Sequence, residues 1–236
     1  MRGGRILMTR DAYILWPTIR PNWCANALKR APGSWLNLAD QPQNIIVKIA
    51  VNVDTQKAEV LSMLVGVPNV EVLVVGNTRS GATYPTSILA KSFQAKPEDI
   101  VILASDDFRP IKSWNTWMAK HFDGFDGCLL VNDGYQTEPS VTLPIMTYNC
   151  LLRLNRVIYH PAYHHMFSDT ELYDVLAELG LLKNLRRLDQ PTFEHVHWAA
   201  NKRPADGFDE RTKALADVDR GTYYRRRGLP LAEKLK

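Results

Sequence analysis

The hydrophobic positions of this 236-residue chain gather into short, dense runs through its first half. Residues 13–16, 45–53, 70–75 and 100–104 are apolar and rich in β-branched side chains, as expected of strands buried on both faces. Between them, residues 23–39, 55–66 and 86–95 place apolar side chains at helical spacing, with Pro32 and Gly33 interrupting the first segment. Such alternation predicts a mostly parallel central sheet covered by helices on both sides. Every strand runs out into polar residues: Pro17 and Thr18 after the first, Asp54 after the second, the turn GNTRSG (76–81) after the third, and Ser105, Asp106 and Asp107 after the fourth. In open sheets of this kind the carboxyl ends of the strands are where ligands bind.

The second half is less regular. Residues 114–122 read as a short aromatic-rich helix, 127–132 as a strand, and 133–144, with Gly134, Pro139 and Pro144, as a loop able to cover a site. A helix is expected within residues 144–156. Ser168 followed three residues later by Glu171 reads as a capping box; the helix it opens has Leu172, Val175, Leu176 and Leu179 on its apolar face and stops at Gly180. Residues 185–189 suggest an edge strand. Residues 193–198 alternate, so that His195 and His197 share a face.

Composition narrows the class. Hydrophobic residues make up 45% and charged residues 23% of the chain, an ordinary globular balance. One domain over 1–236 is the simplest expectation. No apolar run approaches bilayer length and the N-terminus lacks the apolar core of a signal peptide, so a cytoplasmic location is expected. Cys24, Cys128 and Cys150 are odd in number and widely spaced, which argues against a disulfide framework or a cysteine zinc site and for buried thiols. Residues 1–200 hold 19 basic and 19 acidic side chains, whereas 201–236 hold 10 and 6. The tail is therefore a basic extension. Its Tyr223 to Arg227 cluster reads as a solvated terminal helix, with phosphate, base or anionic lipid contact as the alternative.

Candidate chemistry begins at Asp106 and Asp107. Adjacent carboxylates repel, and a divalent cation bridging to a polyphosphate relieves that cost. Taken alone, the pair also fits an acidic turn after a strand. The GNTRSG turn has neither the dinucleotide nor the P-loop spacing. His164 and His165 read as structural rather than chemical, and Trp16, Trp114 and Trp117 as core rather than an acceptor platform.

Taken in order, PTIRP (17–21), NVD (52–54), GNT (76–78), SDD (105–107), FSDTEL (167–172) and HVH (195–197) resemble the motifs of a GT-A glycosyltransferase of the family 2 type. The likeness runs over roughly residues 11 to 200. It implies an α/β, Rossmann-like GT-A domain with a nucleotide-sugar half (11–110), an acceptor and catalytic half (111–200) and the basic extension (201–236). It also implies a metal-dependent, inverting transfer from a nucleotide-diphosphate sugar, UDP-sugar favoured, to a glycan or to a hydroxylated base in DNA. Pro17, Thr18 and Arg20 would lie under the nucleotide, Asp54 would meet the base, and Asn77 and Arg79 would border base or ribose. Asp107 would hold Mn2+ or Mg2+ with His195 or His197, and Asp106 would face the ribose or the waters of the ion. Asp169 would be the general base with Glu171 as the alternate, although both also suit a helix start, where the dipole favours negative charge.

Two positions depart from that pattern: Ser105 replaces the first Asp of the usual D-x-D, and Ser168 replaces the Glu of the usual Glu-Asp pair. Two other classes stand beside the transferase. A nucleotidyltransferase would carry a glycine-rich basic loop after the first strand, of which PTIRP is a poor version. A non-catalytic nucleic-acid-binding module would use the acidic pair only structurally.

Overall fold

The computed structural model describes residues 10–31, 33–76, 82–188, 192–197, 201–205 and 207–236. The apolar runs become strands β1 (Ala12–Pro17), β2 (Ile45–Val51), β3 (Val70–Val74) and β4 (Ile100–Leu103), all parallel. After β5 (Phe108–Pro110) come β6 (Cys128–Leu130), β7 (Ile145–Thr147), β8 (Leu182–Asn184) and β9 (Phe193–His195). The main sheet has the order β3-β2-β1-β4-β7-β6-β8, and β5 pairs with β9 in a separate antiparallel ribbon. Only β7 runs against its neighbours β4 and β6. The chain winds outward from β1 to β3 and then returns to place β4 on the other side of β1. The chain leaves the carboxyl ends of β1 and β4 in opposite directions across the sheet, which opens a crevice above them.

The period of two divides the core between the two faces. Ile14, Trp16, Val47, Ile49, Val51, Ile100 and Ile102 pack on one side with Cys24, Ala25, Val60, Trp114 and Met118. Those residues come from helices α1 (Pro21–Ala25), α2 (Asp54–Met63) and α4 (Trp114–His121). Leu15, Ala50, Val101 and Leu103 pack on the other side against Leu89, Cys150, Leu151, Leu172 and Leu176. These belong to α3 (Thr83–Lys91), α5 (Tyr148–Arg153) and α6 (Ser168–Glu178). Each side chain of this size contributes about 1.5–3 kcal/mol when fully buried, so the two layers fix which residues face the sheet. All three cysteines are buried and free. No helix among the described residues is long and apolar enough to cross a membrane.

Several expected elements differ. The segment 23–39 forms only α1 and a wider turn at Asn26–Arg30, because the following residues bring Trp35 inward instead of extending the helix. Trp35 stacks edge-on against Trp16 and Trp114, at centroid distances of 6.2 and 5.1 Å. Its indole N–H donates to the Phe108 carbonyl, and its own carbonyl accepts the indole N–H of Trp114. Trp16 and Trp114 are fully buried, as core residues. The edge strand is β8, at 182–184, and residues 185–188 turn away from it.

The Tyr223 to Arg227 cluster is helical, with one face solvated and the other packed on the domain. The basic extension forms α7 (Gly207–Ala214), α8 (Ala216–Arg227) and α9 (Leu231–Lys234), and α8 and α9 pack on α6. The Tyr223 hydroxyl donates to Asp174 at 2.7 Å, and Arg226 Nε donates to Glu171 at 3.0 Å. Lys234 Nζ stands 3.4 Å from Glu178. Arg226 and Lys234 thus answer acidic residues on α6, while Arg220, Arg225 and Arg227 stay exposed on the outer face of α8. Tyr224 alone of the tyrosine pair stays exposed.

Candidate functional site

A cavity of about 490 Å3 opens beyond the carboxyl ends of β1 and β4. The wall beneath it is built by local chemistry. Pro17 ends β1, Thr18 donates its main-chain N–H to the Ala50 carbonyl of β2 at 2.9 Å, and the Thr18 hydroxyl accepts the Arg20 N–H at 2.9 Å. Opposite, the indole N–H of Trp16 donates to Asp106 Oδ1 at 2.8 Å and the Thr18 hydroxyl reaches Oδ2 at 3.3 Å. Asp106 thus ties the end of β1 to the turn after β4. Burial pushes its pKa up to about 6, with Asp107 adding to the shift and Trp16, Arg20 and Thr18 opposing it.

Asp107 faces the cavity beside a pair of histidines. The ligand atoms of Asp107, His195 and His197 lie within 4.8 Å of one another. The β5–β9 ladder sets them there: Phe108 pairs with His195, and the Val196 N–H donates to the Asp107 carbonyl at 2.7 Å. His195 Nε2 lies 3.4 Å from Asp107 Oδ2. Burial alone would raise the pKa of Asp107. The hydrogen bond and charge of His195, with the Ser105 hydroxyl, outweigh burial and hold Asp107 well below the usual carboxylate range. Burial lowers the pKa of His195, but Asp107 and Asp133 overcome it and lift the imidazole to about 8. One carboxylate oxygen and two imidazole nitrogens form a donor set suited to a divalent cation, with room in the cavity for ligands on the far side.

Asp169 lines the same cavity from the first turn of α6. Burial raises its pKa, partly opposed by the Thr170 N–H and by His165. His165 also lines the cavity, and burial lowers its pKa. The expected capping box does not form. Ser168 is already helical, its hydroxyl donates back to the His165 carbonyl at 2.8 Å, and Phe167 takes the N-cap position with φ +63°. A left-handed phenylalanine is strained, and tertiary contacts hold it: its ring stacks on Tyr223 at 5.8 Å.

The other expected site residues are placed as follows. Pro17, Thr18, Arg20, Asp106, Asp107, Asp169, His195 and His197 all line the cavity. Asp54 is exposed at the start of α2, outside that lining, whereas its neighbour Asn52 is in it. Glu171 points away, into its ion pair with Arg226, and is buried. Asn77 and Arg79 lie outside the described residues.

Sequence reading missed two carboxylates. Asp133, buried at the start of the 133–144 loop, accepts from the main chain of Tyr135 and Gln136 and contacts His195. Asp219 in α8 is fully buried and accepts the N–H groups of His164, His165 and Met166. The Asn-Asp-Gly turn at 132–134 was a local signal for the first. Nothing local marks the second. The tail also contributes Arg203, Asp209, Thr212 and Lys213 to the cavity wall.

No family profile matches the chain, and no curated protein sequence matches it. Its fold is similar to that of the mannosyltransferase PcManGT from Pyrobaculum calidifontis, solved in complex with GDP-Man and Mn2+. The TM-score is 0.62 at 13% identity, covering 94% of this chain and 66% of that one. It is also similar to the glycosyltransferase GlyE of Streptococcus pneumoniae TIGR4, with a TM-score of 0.53 at 8% identity, covering 96% of this chain and 62% of that one. The chain therefore spans about two thirds of the length of these structures or slightly less. At such identity the likeness concerns the fold alone: an α/β domain of the GT-A type.

Proposed function

We propose that this chain is a glycosyltransferase that moves a sugar from a nucleotide-diphosphate sugar to an acceptor hydroxyl. The observation that carries the reading is the convergence of Asp107, His195 and His197 in one cavity with Asp169, at the ligand-binding end of a GT-A sheet. Those three side chains would hold Mn2+ or Mg2+. A hard cation there supplies charge neutralisation for the departing diphosphate. The protein's own groups do the rest. Thr18, Arg20 and Asn52 form the floor on which the nucleotide rests. Asp106, locked by Trp16 and Thr18, keeps that floor in register with Asp107.

Asp169 is the proposed general base. Burial raises its pKa above that of an ordinary carboxylate, which makes it a better proton acceptor and suits a single inverting displacement. Glu171 is held by Arg226 and leaves the base role to Asp169. A uridine-diphosphate hexose or pentose is the favoured donor. GDP-mannose belongs in the same panel, because PcManGT was solved with it. The acceptor is a glycan or a hydroxylated base in DNA. Salt separates these, since transfer to DNA should weaken steeply as ionic strength rises.

The deciding experiment is a thermal-shift panel of nucleoside diphosphates with and without Mn2+, followed by donor hydrolysis and transfer assays on whichever nucleotide stabilises the fold. A stabilisation that requires both nucleotide and cation supports the reading. Indifference to every nucleotide, with no donor turnover, would overturn it.

A further inference from the structure

His195 meets a carboxylate at each ring nitrogen. Nε2 lies 3.4 Å from Asp107 Oδ2, at the cavity, and Nδ1 lies 3.3 Å from Asp133 Oδ2, behind the ring. The two carboxylates differ in surroundings: the Asp133 side chain is 2% exposed and that of Asp107 is 18% exposed. Asp133 is held on every side. Its Oδ1 accepts the N–H groups of Tyr135 at 3.0 Å and Gln136 at 2.7 Å, and its Oδ2 also receives the Thr142 hydroxyl at 3.2 Å. Its carbonyl accepts the His195 N–H at 3.1 Å, which fixes backbone as well as side chain.

From this geometry we infer that Asp133 is a positioning residue that sets the ring orientation and tautomer of His195, so that Nε2 is the nitrogen offered to a divalent cation. This rests on the reading of Asp107, His195 and His197 as cation ligands. Ionised Asp107 and Asp133 both only accept hydrogen bonds, so once a cation is held between Asp107 and Nε2 the one imidazole proton must sit on Nδ1, facing Asp133. The remaining lone pair then lies on Nε2, beside Asp107. A histidine ligand backed by a carboxylate in this way has its orientation fixed and its basicity increased. Asp133 does a second thing through the same oxygens. By fixing the Tyr135 main chain it places the Tyr135 ring 5.8 Å from His195 and 5.7 Å from His197, against both imidazoles.

The structure also dictates how an amide would sit at this position. In Asp133→Asn the oxygen must remain at the Oδ1 place, because two main-chain N–H groups point at it. The amide N–H2 group then faces His195 Nδ1 and donates to it, which moves the imidazole proton to Nε2 and removes that nitrogen as a ligand.

The test reads the tautomer directly. Imidazole 15N shifts of the wild type loaded with Mg2+ and UDP, a diamagnetic pair, are expected to show the His195 proton on Nδ1. A proton on Nε2 overturns the inference, and this measurement needs no variant. In Asp133→Asn the proton is expected on Nε2, and Mn2+ affinity, measured by titration with Mn2+ alone and with Mn2+ plus UDP, is expected to fall about 10- to 100-fold. Equal Mn2+ affinity in the two proteins overturns the inference while leaving the cation site intact. A wild type that binds no Mn2+ overturns the cation reading and this inference with it.

Discussion

The Oδ2 atom of Asp219 accepts the main-chain N–H of His165 at 2.9 Å, joining the last long helix to the wall of the cavity. The same oxygen takes the Met166 N–H at 2.8 Å, and Oδ1 takes the His164 N–H at 2.9 Å. Three consecutive main-chain donors thus end on one fully buried carboxylate. The loop they belong to leads directly into Phe167, Ser168 and Asp169, so α8 sets the approach of the proposed base.

Asp219→Asn cannot satisfy that set of donors, since one of its two terminal atoms is itself a donor. Each buried donor left without an acceptor costs about 1–3 kcal/mol. We expect a loss of about 2–4 kcal/mol in urea unfolding, on the basis of one or two unsatisfied donors. Turnover should fall together with stability. Unfolding that matches wild type would show that the clamp adds nothing.

Removal of the Asp107 carboxylate should abolish metal-dependent nucleotide binding. A ligand present at a hundred times its Kd adds about 2.7 kcal/mol to the folded state. The wild type should gain that increment from UDP with Mn2+, and Asp107→Ala should lose its metal-dependent part. Retention of the full shift in the variant would remove Asp107 from the cation site.

Asp169→Asn is expected to lower kcat by about 10^2- to 10^4-fold, the usual contribution of a positioned base. Donor binding by thermal shift should be unchanged. The base must be ionised to work, so the rate of the wild type should fall as pH drops through the Asp169 pKa. Because burial raises that pKa, the acid limb should lie above the ordinary value of 3.8. In the variant this limb should vanish from the kcat profile.

Glu171 and Arg226 should behave as a structural pair. Their side chains are 6% and 12% exposed, so Arg226→Ala leaves a buried carboxylate without its partner, at a cost of about 3–5 kcal/mol. Glu171→Gln should retain most of the turnover of the wild type. A kcat for Glu171→Gln as low as that of Asp169→Asn would exchange the roles of the two carboxylates.

His160 gives a pH dependence of stability unconnected with the cation site. Burial, with the charge of Arg226, lowers its pKa from 6.5 to about 4, and its Nδ1 accepts the Ala162 N–H at 3.1 Å, as a neutral imidazole can. Between those two pH values the unfolded chain binds a proton that the folded chain refuses. Stability therefore falls as pH drops from 6.5 towards about 4 and is not reduced further by this group below that. Measured by urea unfolding, wild type should lose stability relative to His160→Gln across that window. A constant difference would place the proton elsewhere.

The sequence by itself determined the part of this protein that depends on short-range pattern. β-branched runs at 45–51 and 100–103 can satisfy their side chains only inside a covered sheet, and the turns after β1 and β4 put Thr18, Asp106 and Asp107 at its carboxyl end. The alternation in FEHVHW likewise set His195 and His197 on one face. What the tertiary structure decided was pairing over distance. β7 enters between β4 and β6 as a three-residue antiparallel strand too short to stand out in the pattern. The Ser168 cap signal failed because packing of Phe167 on Tyr223 moved the helix start by one residue. Asp133, Asp219 and Glu171 carry the same side-chain chemistry as any surface acid; what distinguishes them is the donor each meets, His195, the 164–166 backbone and Arg226. A carboxylate's role is fixed by the partner that replaces its water, and that partner is assigned only when the chain folds.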